Sequence, residues 1–207
     1  MFSGPRGGQG PGLGSATGLR GSSDITNCVF TPQVISIGPY HHGKNCLAKM
    51  ERHKSRFLQD FLSRDFGRSL EHHRNKLKKM EQMLRDDYET KFDLTSDQFV
   101  DMMILDGCFI LELFIKIYNH TRDHEIFKNE SLLRYIKTDL LMIENQVPLL
   151  VLEILHGNQR KYGVPIPTIN QLLAYYFWDM KAARVTACCT PTINSSSFLL
   201  LVIKKRY

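Results

Sequence analysis

An all-α fold, an irregular helical domain with one short extended segment near its N-terminus, is predicted by three features of the sequence. Every long periodic segment repeats its apolar residues at about the 3.6-residue helical period. The longest apolar stretch, FVDMMILDGCFILELFIKIY from Phe99 to Tyr118, is apolar almost all round when wound as a helix and needs neighbours on several sides. The β-branched run Val34-Ile35-Ser36-Ile37, by contrast, is short.

Taken in order, residues 1–27 are Gly-rich, lack the apolar stretch of a secretory signal and read as a disordered lead. From Cys28 to Gly43 the prolines, the glycines and the β-branched run predict an extended segment that ends in a turn and lies against the helical core. Between Leu47 and Arg64, Leu47, Met50, Phe57, Leu58, Phe61 and Leu62 form one helical stripe, with Lys54 filling the remaining turn. Leu70, His73, Leu77, Met80 and Leu84 follow the rhythm of a short coiled-coil seam, which predicts a hairpin with the preceding helix.

The central helix has Ser96 or Thr95 as its N-cap, a Thr95/Gln98 capping-box spacing, and an end near Asn119. Asp106-Gly107 and Glu112 interrupt it, which argues against a bilayer span. Ser131 is placed to cap a further helix carrying Leu132, Leu133, Ile136, Leu140 and Ile143. Pro148 disfavours helical geometry in the residue before it, so Glu144-Asn145-Gln146-Val147 is expected to be a kink or tight turn. Leu149–Leu155 then forms a short helix ending at Gly157, and Thr168 caps a last one over Ile169–Arg184, with Leu172, Leu173, Tyr176, Phe177, Trp178 and Met180. The helical domain spans 28–184; residues 185–207 read as an irregular tail whose apolar run Phe198–Ile203 is far short of the ~20 residues of a membrane helix.

The 207 residues allow one sizeable domain. The net charge of +6 is concentrated at the ends, +1 in residues 1–27 and +3 in residues 185–207, leaving +2 for the middle. A middle so nearly balanced lacks the phosphate-tracking surface that nucleic acid requires, so no nucleic-acid partner is expected. The five cysteines are odd in number and lack CxxC spacing, which points to free thiols in a reducing compartment.

Paired carboxylates are the first chemistry to consider. Asp106 and Glu112, like Asp139 and Glu144, are spaced so that each pair falls on different faces of a helix. The expectation is that such acids bond helix ends or pair with a basic residue such as Arg134. Asn145 and Gln146, beside Pro148, are expected to satisfy backbone groups freed by the break. His41, His42, Cys46 and His53 lie close in sequence and His120 and His124 are four apart, but neither group completes a metal-ligand pattern. No GxSxG elbow, phosphate loop or dinucleotide fingerprint occurs, so neither metal nor cofactor is expected.

Together TPQVISIGPYHHG (Thr31–Gly43), MERHKSRFL (Met50–Leu58), MMILDGCFILELF (Met102–Phe114) and DLLMIENQVPLLVLEIL (Asp139–Leu155) resemble the plant family called domain of unknown function 247, over about Cys28–Lys181. The positions that carry the resemblance include Pro32, Gly38, Pro39, His41, His42 and Gly43; Glu51 and Lys54; Asp106, Gly107 and Glu112; and Asp139, Glu144, Asn145, Gln146 and Pro148. The resemblance implies a mainly helical plant protein of unassigned biochemical activity, in a family whose members commonly end in a membrane anchor. Some grass members act as pollen-side determinants of self-incompatibility, which implies recognition rather than catalysis; no catalytic residues carry over.

This chain stops where members ordinarily continue through a second helical half to the anchor, so it is read as a truncated, cytoplasmic member. The apolar faces of Leu149–Leu155 and Leu172–Trp178 are accordingly expected to lack cover and to depend on a partner. The leading functional expectation is a non-enzymatic interaction or signalling module with a protein partner. The alternative is an enzyme with a cleft near Asp106, Glu144 and His41.

Overall fold

The computed structural model describes residues 31–64, 69–157, 160–161, 164–165 and 167–177. The Gly-rich lead, Cys28, Trp178, Met180 and the tail with Phe198–Ile203 lie outside the described residues. Among those described, the helices are α1 (Lys49–Arg64), α2 (Leu70–Lys79), α3 (Glu81–Asp86), α4 (Ser96–Tyr118), α5 (Glu130–Asp139), α6 (Leu149–His156) and α7 (Ile169–Phe177). Single 3₁₀ turns at Asn45–Leu47 and Glu125–Lys128 precede α1 and α5. The described strands are β1 (Arg160–Lys161) and β2 (Val164–Pro165), an antiparallel pair with Arg160 opposite Pro165.

The fold is built round α4. Thr95 caps it: the Thr95 hydroxyl accepts from the Gln98 N–H while the Gln98 side chain accepts from the Thr95 N–H. From Met102 to Lys116 every residue but Leu105 is buried, as expected of a helix apolar on all sides. It is surrounded by α1, α2, α6 and α7. Phe57 of α1 meets Phe109 of α4 with ring centroids 5.1 Å apart, and Phe114 meets Tyr176 of α7 at 4.5 Å. Gly107 sets the approach of α6: a Cβ there would lie 2.5 Å from Leu155 Cδ1 and 3.0 Å from Val151 Cγ1. A residue without a side chain lets the helix surfaces close to that distance.

Four expectations are corrected. The stretch around Leu70–Leu84 is broken at Met80 into α2 and α3, and α2 packs chiefly on α4 and α6 rather than forming a simple hairpin with α1. The Phe61 and His73 rings do meet, at 5.6 Å. Asn129, not Ser131, caps α5, accepting from the Leu132 N–H at 3.0 Å. That helix stops at Asp139 instead of carrying its stripe to Ile143, which is 76% exposed. Finally, the apolar faces of α6 and α7 do have cover: Val151, Leu152 and Leu155, with Leu172, Leu173 and Tyr176, are buried, and among the described residues the large exposed apolar ones are Met83, Tyr118, Tyr135, Leu141 and Ile143. No described helix is long and apolar enough to cross a membrane.

Candidate functional site

An extended segment inside a helical core has no neighbouring strand to pair with, yet its amides and carbonyls still need partners. Residues 33–38 run through this core outside any helix or strand, bent at Gln33, Val34 and Gly38, and side chains from the helices and their connections supply what a ladder would supply. The N–H groups of Gln33, Val34 and Ile35 donate to the Asp139 carboxylate at 2.9, 2.8 and 3.0 Å. Asp139 is the last residue of α5, so the early end of that helix puts its carboxylate where the segment passes.

Asn145 completes the mimicry of a strand. Its carboxamide oxygen accepts from the Ile37 N–H at 2.7 Å and its nitrogen donates to the Ile35 carbonyl at 3.1 Å. The two bonds flank Ser36 as the peptide groups of a parallel neighbour flank a strand residue. The same nitrogen also donates to the Asp139 carbonyl at 3.0 Å, tying the connection to the helix end.

The segment then turns at Gly38. Its N–H donates to Asp106 of α4 at 2.8 Å; its φ is +73°, and a Cβ would stand 2.3 Å from the Gln146 carbonyl oxygen. Only glycine fits a position that is both left-handed and in contact with backbone. The Tyr88 hydroxyl donates to that Gln146 carbonyl at 3.1 Å. Burial, and then the Asp106 and Asp87 carboxylates, push the Tyr88 phenol well above its ordinary range, so it acts as a neutral donor.

Asp106 is 1% exposed and its charge is answered by Lys54 of α1, which is itself fully buried. The Lys54 ammonium lies 2.7 Å from Asp106 and 2.7 Å from Glu51, and donates to the Ser36 hydroxyl at 3.4 Å. Burial works against the ammonium, but the two carboxylates outweigh it and hold Lys54 above the ordinary lysine value. Arg134, the basic partner considered for these acids, is exposed and donates to the Ser131 hydroxyl. Further along α4, Glu112 pairs with Arg64, and Lys116 lies 3.1 Å from Asp60 and 3.0 Å from Asp123.

The remaining motif positions divide between core and surface. Pro32, Pro39 and Pro148 are buried, whereas His42, Gly43 and Glu144 are exposed. His41 is 5% exposed; its Nδ1 accepts from the Lys44 ammonium at 2.8 Å, and its Nε2 has no hydrogen-bond partner among the described residues. The histidines do not assemble into a metal site. His120 bonds Tyr175, His53 stacks edge-on against His124, and no group of three or more metal-ligating side chains occurs among the described residues.

A cleft of about 150 Å3 opens between Tyr40, Tyr88 and the stretch from Ile143 to Pro148. Glu144 lines it, but Asp106 and His41 do not. Asp106, Glu144 and His41 therefore do not share this cleft. Sequence reasoning missed Tyr40, Ser36 and Tyr88 as members of this region. One signal was present: a lysine in the apolar stripe of α1 and an aspartate in the all-apolar α4 are each untenable alone and sensible together.

A family model described as a plant protein of unknown function, DUF247, matches residues 20–198. The chain belongs to this DUF247 family. Among curated proteins it is 37% identical over 154 residues to the Arabidopsis thaliana protein named UPF0481 protein At3g47200, covering 72% of this chain and 31% of that relative. It is 36% identical over 125 residues to the putative UPF0481 protein At3g02645 of the same plant, covering 59% of this chain and 23% of the relative. This DUF247 chain thus spans less than a third of the length of either relative. No solved structure matches it.

Proposed function

We propose that this DUF247 chain is a non-enzymatic protein-interaction module whose contact surface includes the α5–α6 connection. One observation carries the reading: the connection spends its inward polar groups on holding the extended segment while turning apolar groups outward. Asp139 and Asn145 are fully buried, whereas Leu141 and Ile143 are 41% and 76% exposed. Apolar side chains held in solvent by a rigid buried frame suit partner recognition, since little ordering remains to be done on binding. The acids and the lysine that an enzyme would place in a cleft are here bonded to backbone and to each other.

The test is affinity capture from plant tissue with the 207-residue chain and with Ile143→Asp. The reading predicts a reproducible protein partner that is lost in the variant while the melting temperature is unchanged. Retention of the same proteins by both forms, or turnover of a small molecule by the purified chain, overturns it.

A further inference from the structure

The motif MERHKSRFL of α1 divides between two faces of the helix. Met50, Lys54 and Phe57 are buried, whereas Arg52 and Arg56, with Lys49 just ahead of the motif, are exposed on another face. The two carboxylates of α1 are both committed: Glu51 lies 2.7 Å from Lys54, and Asp60 lies 3.1 Å from Lys116 of α4. Lys49, Arg52 and Arg56 make no ion pair and no side-chain hydrogen bond among the described residues. This arrangement works against the helix that carries it. Spacings of three and four residues make the three cations neighbours, where like charges repel, and Lys49, the first residue of α1, stands at the positive end of the helix dipole. On α2 the same problem is answered: Arg74 and Lys78 meet Asp101 and Asp97 of α4 at 2.7 and 2.5 Å. A local conflict left unanswered on an exposed face points to a use outside the fold.

We propose that this stripe binds an extended acidic segment of a protein partner. It is a second contact, and it does not depend on the α5–α6 connection. The spacing supports it. Residues four apart on a helix have Cβ atoms about 6 Å apart, and alternate residues of an extended chain stand about 6.6 Å apart on one face. Carboxylates at i and i+2 of such a segment can each meet a guanidinium in a fork, at Arg52 and at Arg56. A third, two residues further on, falls beside Lys49, a point charge that needs no fork. Other polyanions fit less well. A membrane surface is engaged by roughly four to eight clustered cations or by an apolar helix face, and none of the large exposed apolar residues belongs to α1. From Lys49 to Arg56 the helix rises only about 10 Å, too short a track for the many phosphate contacts of nucleic-acid binding.

The probe is the blocked peptide acetyl-Glu-Thr-Glu-Thr-Glu-amide, titrated at low salt into the isotope-labelled 207-residue chain and followed by NMR. Saturable shifts are expected in the amides of residues 49–56 and in the guanidinium signals of Arg52 and Arg56. The glutamine version of the peptide should bind about tenfold more weakly, as should the glutamate peptide with Arg52→Gln/Arg56→Gln. That double variant should keep or raise the melting temperature, because it removes a like-charge pair. Equal binding of the glutamine peptide, insensitivity to the double variant, a lowered melting temperature in it, or no saturation up to about 10 mM overturns the proposal. So does capture of the chain by phosphatidylserine vesicles or by RNA, lost in the double variant, when the peptide itself does not bind. If the peptide fails while Ile143-dependent capture persists, the stripe assignment falls and the α5–α6 reading stands; if the peptide binds while that capture fails, the reverse holds.

Discussion

The inner and outer sides of the α5–α6 connection differ in what each does with the same few residues. On the inner side, Asp139 and Asn145 are fully buried and make six hydrogen bonds to backbone. On the outer side, Leu141, Ile143 and Glu144 are exposed. The difference teaches that Asp139 and Asn145 mark structure here although they are polar, while Leu141 and Ile143 stand at the surface although they are apolar, the reverse of the usual expectation for a connection. The reversal has a physical origin: an extended segment without a strand partner needs polar groups brought to it in the core.

Substitutions on the two sides should separate widely, and the largest effect belongs inside. Asp139→Ala removes the acceptor for three amides and should cost about 4 kcal/mol in urea unfolding, whereas Glu144→Ala should change stability by less than about 0.5 kcal/mol. Similar costs for the two would erase the comparison.

Next comes the buried pair that supports the turn of the segment. Lys54→Met leaves Asp106 buried without its cation, at about 3 kcal/mol. The double change Lys54→Met/Asp106→Asn, which keeps an acceptor for the Gly38 N–H, should recover at least half of that loss. An additive double mutant would show that the pair is not the unit.

The pH dependence is a smaller effect, with opposite signs at the two ends. Lys54 titrates above its ordinary value in the folded state, so its contribution is full below the ordinary lysine value and is lost as pH rises through the raised folded one. His41 and His124 are held below the ordinary histidine value by burial first, then by Lys44 for His41 and by His53 and Arg56 for His124. The unfolded chain therefore takes up these protons first, and stability, full above the ordinary histidine value, falls as pH drops through it toward the lowered folded values. Urea midpoints across pH check both limbs. His124→Asn, which keeps an acceptor for the Ile126 N–H, should flatten the acid limb.

The helices were largely legible because periodicity and capping are local. The Thr95/Gln98 box and the Thr168 cap formed as spaced, the latter with Gln171 answering it. The break at Pro148 was also readable, since proline acts on its immediate neighbour. What escaped was long-range. Lys54 reads as a filler of an apolar stripe until Asp106, on another helix, is known to face it. Asp139 and Asn145 read as groups serving nearby helix ends, whereas most of their bonds go to backbone more than a hundred residues away in sequence. The run Val34–Ile37 announced extended geometry but not that its partner would be side chains rather than a strand. Ile143 was assigned to a buried stripe because its spacing continued that of α5, which in fact ends at Asp139.

The central claim, that buried side chains satisfy the backbone groups of residues 33–38, is tested most directly by native-state hydrogen exchange of the segment's own amides. Ile35, Ile37 and Gly38 should exchange as slowly as the core of α4, through global unfolding, and Asn145→Ala should speed Ile37, whose amide it accepts, more than Ile35, which donates to Asp139. Exchange of all three as fast as the exposed turn at His42 and Gly43 would contradict the account.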